Sequence, residues 1–204
     1  MARLFDYQNP VWRFMGRLAD LFFLTLLWIL GSLPVITIGA STTALYYVAL
    51  KMVKNQEGYL WKSFWHSYRE NLGIATGIWC VMLLAGGIFA GGFAYVFRME
   101  TVAASFFFWW LLLLALLYLF VLTLVFPLTA RLDAGIGRLL GMTFMTAVKN
   151  FSWVMLMLVI TLCVLALGIF VFWPLLLLGA GVIAYAHALI LVHVIFPKYN
   201  WNNI

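Results

Sequence analysis

The chain has 204 residues, of which 67% are hydrophobic and only 9% charged, with a formal net charge of +6. Soluble domains run nearer roughly 45–50% apolar and about 25% charged. A chain of this size cannot hide that excess in its interior, so lipid must solvate much of its surface. The basic excess sits in short segments between apolar runs, as retention on the cytoplasmic side requires, and this argues against nucleic acid as a partner.

Four stretches, 21–50, 71–97, 101–130 and 150–197, contain no Asp, Glu, Lys or Arg. Each exceeds the roughly 20 residues that a helix needs to cross a bilayer, and none alternates as a β-barrel strand would. The expected fold is all-α: a polytopic transmembrane bundle forming a single integral membrane domain over residues 1–204. Cys80 and Cys163 lie inside apolar runs and read as small packing residues, with no disulfide framework or metal site.

Residues 1–17 enter from the cytoplasm. Asn9-Pro10 signals a turn, and Trp12, Phe14 and Met15 interleave with Arg13 and Arg17 as in a short interfacial helix. Arg3, Arg13 and Arg17 before an apolar run resemble a signal peptide, but the run resumes after Pro34 and reads as an uncleaved helix. Apolar helices over 18–33 and 37–54 flank Pro34 and form either a short Pro-broken hairpin or one kinked helix. The charges favour the hairpin: it places eleven basic residues on one side and Arg98 alone on the other, against eight and four for a single crossing. About six helices follow, or five if 18–50 crosses once, with both termini cytoplasmic. A sixteen-residue arm rises only about 24 Å, less than a hydrocarbon core of about 30 Å. Thr37, Ser41, Thr42 and Thr43 then serve to satisfy backbone groups near the break, or to pack helices.

Residues 55–70 form the first cytoplasmic loop. Gly58 separates the second helix from a short amphipathic one, on which Trp61, Trp65, Tyr68 and Leu72 share a face and Lys62, His66 and Arg69 lie on another. It reads as a helix on the membrane surface or as a docking element. The third helix, 71–97, carries Gly73xxxGly77 and Gly87xxxGly91, which permit close helix approach. Arg98-Met-Glu100 makes the external turn, Phe106 to Trp110 an outer aromatic belt, and the fourth helix descends to Ala130 past Pro127.

Residues 131–149 are the second cytoplasmic loop. Gly135, Gly137 and Gly141 read as loop flexibility, since neither the strand nor the Lys-Ser/Thr of a phosphate loop accompanies them. The fifth helix spans 151–172, Trp173-Pro174 makes an external turn, and the sixth spans 175–196 with Ala180, Ala184 and Ala188 as a small-residue stripe. His187 and His193 are six apart and cannot form an i, i+4 ligand pair; His187 reads as a hydrogen-bonded structural residue. The two cytoplasmic segments echo each other, Ser63-Phe64 before Asn71 and Thr143-Phe144 before Asn150, as in a duplicated hairpin unit.

Arg17-Leu-Ala-Asp20, Leu27-Trp28, Ser32 through Tyr46, Glu57-Gly58-Tyr59, Ser63-Phe64 and Asn71 resemble the YesL-like family (domain of unknown function 624), small integral membrane proteins of Gram-positive bacteria. The resemblance implies a place in the bacterial plasma membrane beside carbohydrate ABC importers, with permease subunits as partners. It implies no catalytic residue and no cofactor. Candidate partner-contact residues are Pro34, Thr37, Gly39, Ser41, Thr42, Trp61, Trp65, Tyr68 and Arg69. The leading expectation is a non-catalytic accessory subunit packed against permease helices; the alternative is an autonomous transporter or channel for a sugar-like solute. Ion-coupled carriers place an ionisable group in the membrane, and here the long runs offer only His187 and His193. An enzyme is disfavoured because Asp6, Asp20, Glu57, Glu70, Glu100 and Asp133 are scattered, without a paired-carboxylate or nucleophile–base signature.

Overall fold

The computed structural model describes residues 10–56, 58–99, 102–171, 174–199 and 201. Expectations for Arg3, Asp6, Glu57, Glu100 and Trp173, and for the Arg13 and Phe14 side chains, lie outside the described residues. The described chain is helical: α1 (Pro10–Gly31), a 3-10 turn (Val35–Thr37), α2 (Ile38–Val53), α3 (Leu60–Val96), α4 (Val102–Thr129), α5 (Ile136–Lys149), α6 (Phe151–Phe170) and α7 (Leu175–Ile190). A π turn, Leu191–Ile195, and a short helix, Phe196–Lys198, extend α7. Among the described residues, five helical segments are long and apolar enough to cross a membrane: Val35–Val53, Leu60–Val96, Ala104–Thr129, Phe151–Phe170 and Leu177–Lys198. The chain is a multi-pass helical membrane bundle.

The question at Pro34 resolves as a hairpin. Ser41 Oγ donates to the Trp28 carbonyl at 2.8 Å, and Trp28 Nε1 donates to Thr42 Oγ1 at 3.1 Å. In one kinked helix those residues would lie about 20 Å apart, given a rise of about 1.5 Å per residue. Leu21, Leu24, Leu27, Ala44, Tyr46, Val48 and Met52 are buried in the core, together with Phe120, Leu124, Met157, Ala184, Ala188 and Leu191. The hairpin therefore packs inside the bundle against α3, α4 and α7.

Three boundaries differ from the sequence reading. The interfacial segment and first helix are one helix, α1, from Pro10. The amphipathic segment after Gly58 is not separate either: it forms the first turns of a 37-residue α3. The helix runs on through Asn71, which reads as a helix boundary, and the Asn71 Nδ2 turns back to the Ser67 carbonyl at 3.0 Å. The second cytoplasmic loop contains α5, whose buried Leu139, Thr143, Thr146 and Ala147 fall at helical spacing. Gly137 and Gly141 lie within that helix rather than in a flexible loop.

The charged segments gather at one end. Arg17 bonds to Asn55 Oδ1 at 3.0 Å, Arg131 to the Trp201 carbonyl, and Lys198 to Asn150 Oδ1 at 3.1 Å. Arg98 follows the opposite end of α3. This is the arrangement that the hairpin topology demands.

Candidate functional site

The hairpin tip is the first candidate; Thr37, Ser41, Thr42 and Thr43 are occupied in holding it shut, whereas Ser32 Oγ is buried without a hydrogen-bond partner among the described residues. Thr37 Oγ1 donates at 2.9 Å towards the Gly31 carbonyl, at the end of α1, and at 2.8 Å towards the Pro34 carbonyl, which also accepts from Thr37 N. Thr42 and Thr43 turn back to the Ile38 and Gly39 carbonyls. From α3, Trp79 Nε1 reaches the Val35 carbonyl at 2.9 Å, and Tyr68 Oη approaches that of Gly31 at 3.4 Å. Glycine is required at position 39: a Cβ there would lie 2.5 Å from the Ala75 carbonyl oxygen. Gly39 and Ser41 are thus buried, Thr37 and Thr42 half-buried, and Pro34 is exposed beside Leu33, Val35 and Ile36.

The aromatic first turns of α3 are the second candidate. The face read from spacing is real: Trp61 and Trp65 meet edge to face at 5.7 Å, and Trp65 and Tyr68 at 5.1 Å. Its residues divide in role. Trp65 and Tyr68 pack against the core and against buried Phe64. Trp61 is 50% exposed, and Arg69 is exposed with it. Trp61, Lys62, Trp65, His66, Arg69 and Glu70 line an open groove along this helix, in which His66 and Glu70 form an i, i+4 pair at 3.5 Å.

A third cluster was only partly legible. His187, 1% exposed, accepts or donates at both ring nitrogens: Nδ1 lies 2.8 Å from Tyr46 Oη, and Nε2 lies 2.9 Å from the Met157 carbonyl and 3.1 Å from Thr161 Oγ1. It ties α2 to α6 and α7. A buried polar group in an apolar bundle needs such partners, and His187 has a full set. On the other side, Gly181 N donates to Thr25 Oγ1 at 3.0 Å, and a Cβ at Gly181 would fall 2.5 Å from the Leu21 carbonyl. Arg17 completes this seam by bonding Tyr185 Oη. Sequence reading found His187 but not Tyr46, Thr161, Thr25 or Gly181, because their partners lie over twenty residues away.

Two expectations of packing fail. Cys80 and Cys163 are exposed on the outer surface, not packed inside. Of the four glycines in the two α3 motifs, only Gly77 meets another element, Ile136; Gly73, Gly87 and Gly91 face open space. Among the described residues no group of three or more His, Cys, Asp or Glu is placed to hold a metal ion.

Residues 21–93, which include the hairpin and most of α3, match the family described as "Protein of unknown function, DUF624". This is the family that the motif residues indicated. No curated protein and no solved structure matches the chain.

Proposed function

We propose that this chain is a non-catalytic accessory membrane subunit of a carbohydrate importer of the ABC type, packing against the permease helices. The observation that carries this reading is the exposed part of the α3 face, Trp61 with Lys62 and Arg69, at the charged end of the bundle. Aromatic and Arg side chains presented together are the residue types that anchor protein interfaces. Two features support it. His187 is engaged at both nitrogens by structural partners, which leaves it poorly suited to carry a coupling proton. Gly73, Gly87 and Gly91 present small-residue surface outward, where another helix can approach closely. The family resemblance supplies the identity of the partner class.

The test is affinity capture of the tagged protein from native membranes in mild detergent. Permease subunits should remain bound, and a Trp61→Ala, Arg69→Ala double variant should lose them while keeping its thermal stability. Recovery as a free monomer, joined by solute flux through proteoliposomes of the isolated protein, would instead identify an autonomous transporter.

A further inference from the structure

Helix α5 packs along α4 with Leu139, Thr143, Thr146 and Ala147 buried. Its outward side is apolar as well: Phe144, Met145 and Val148 are exposed. A helix facing water would carry polar residues there. Beside this side a crevice of about 100 Å³ opens between Leu117, Phe120 and Val121 of α4, Phe144 and Val148 of α5, and Phe151 of α6. Phe120 and Phe151 meet edge to face at 5.0 Å within it. Phe120 is buried, whereas Phe144, Val148 and Phe151 are exposed, so the crevice runs from the core to the surface.

Size and lining select an occupant. Such a volume suits about three waters, at roughly 30 Å³ each, but each would need about 2–4 polar partners. The lining side chains offer none. A partner helix, roughly 10–12 Å across, is too wide to enter. An acyl chain fits and gains contact with every wall. Charge completes the choice. Lys149 stands in the chain between Val148 and Phe151, two of the lining residues. Arg138 lies about three helical turns earlier, on the same side of α5. Both are exposed, and α5 carries no acid. Among the described residues neither cation has a hydrogen-bond or ion-pair partner. Trp153, in the first turn of α6, is partly exposed, and Trp settles at headgroup depth.

We propose that this crevice holds an acyl chain of an anionic phospholipid, with Lys149 meeting the phosphate and Arg138 adding attraction along the same side of α5. Basic residues beside a pocket between membrane helices suit such headgroups. The runs 101–130 and 150–197, which supply α4 and α6, hold no charged residue, so Lys149 is the charge that borders the crevice in the chain. The site uses none of the α3 residues assigned to permease docking, and neither inference depends on the other.

The experiment follows the melting temperature of the full-length protein in neutral detergent against increasing dihexanoylphosphatidylglycerol, dihexanoylphosphatidylcholine or glycerol phosphate. The first probe has chains and a net negative charge, the second has chains without net charge, and the third has charge without chains. A saturable rise with the glycerol lipid, several-fold tighter than with either of the others, is the expected result. Lys149→Gln should weaken that binding roughly fivefold, on the basis of about 1 kcal/mol per basic residue near an anionic surface. Val148→Trp fills the crevice from an exposed position and should weaken it further. Arg98→Gln, beyond the opposite end of α3, should leave it unchanged. The proposal is overturned if the glycerol lipid does not saturate, or if the choline lipid or glycerol phosphate binds as tightly. It is also overturned if Lys149→Gln or a folded Val148→Trp binds like the parent, or if Arg98→Gln weakens binding as much as Lys149→Gln.

Discussion

The segment Val35–Val53 and helix α6 carry opposite combinations of composition and burial. The first is the least apolar of the five candidate spans and 61% of it is buried; the second is among the most apolar and only 17% is buried. In water the order would be reversed, because hydrophobic side chains seek the interior. In lipid the tails are as apolar as leucine, so hydrophobicity does not choose the inside. Close approach and hydrogen bonding choose it. Buried α2 residues include Gly39, Ala40, Ser41, Thr43, Ala44 and Ala49, while Leu162, Leu165 and Phe170 of α6 face outward.

The strongest way to break this contrast is to add bulk where backbones touch. Gly39→Leu places a side chain against the Ala75 carbonyl and the Trp79 Cβ, 2.5 and 2.7 Å from the new Cβ. Backbone cannot yield there, so the expected loss is about 3 kcal/mol or more, at the upper end of overpacking costs. Thermal unfolding in detergent, read with size-exclusion recovery, should show a poorly folded protein. Gly87→Ala on the same α3 meets nothing within 4 Å. It should be neutral or stabilising by up to about 1 kcal/mol through helix propensity. Equal effects at both positions would remove the distinction between touching and lipid-facing surfaces.

Next in size is the polar seam. His187→Ala removes one partner from each of Tyr46, Thr161 and the Met157 carbonyl. Leaving buried polar atoms unpaired costs about 1–3 kcal/mol, and less where membrane helices find substitute partners. Tyr46→Phe should cost less than His187→Ala, since only the Nδ1 contact is lost. Thermal denaturation of the pair, with the double variant closing the cycle, measures their coupling. By contrast Leu162→Ala, at a side chain 57% exposed on α6, should change stability by less than about 0.5 kcal/mol.

The same contrast explains which parts of the fold were legible from sequence. The hairpin at Pro34 followed from charge placement, because topology obeys a rule that counts Lys and Arg. His187 was legible because a lone imidazole in an apolar run must find partners. The glycine motifs of α3 misled: spacing says that two glycines share a face, not which way that face points. Gly39 and Gly181, outside any such motif, make the close crossings. Asn71 and Asn150 echo each other in sequence, and each turns its Nδ2 to the carbonyl four residues before. Yet the chain runs straight through Asn71 and bends at Asn150, where φ is −118° and ψ 36°. The cleft lined by Lys51, Lys54, Glu70, Arg131, Asp133 and Phe196 was not legible, because four segments of the chain converge to build it.

The smallest expected effect concerns pH and the charged end. Lys54 titrates below its usual value in the folded protein, chiefly from burial and secondarily from Arg131. Its unfolded value is about 10.4. Between the depressed folded pKa and that value, the unfolded chain binds more protons than the folded one, so stability rises with pH. The burden is fully present below the folded pKa and is gone above about pH 10.4. Melting temperature followed over that alkaline window should therefore climb less steeply in Lys54→Gln than in the parent protein. Identical slopes in the two would mean that Lys54 is solvated like a lysine in water. The charged end would then be only the wet rim of the bundle, and the contrast between a polar, closely fitted interior and an apolar exterior would stop short of it.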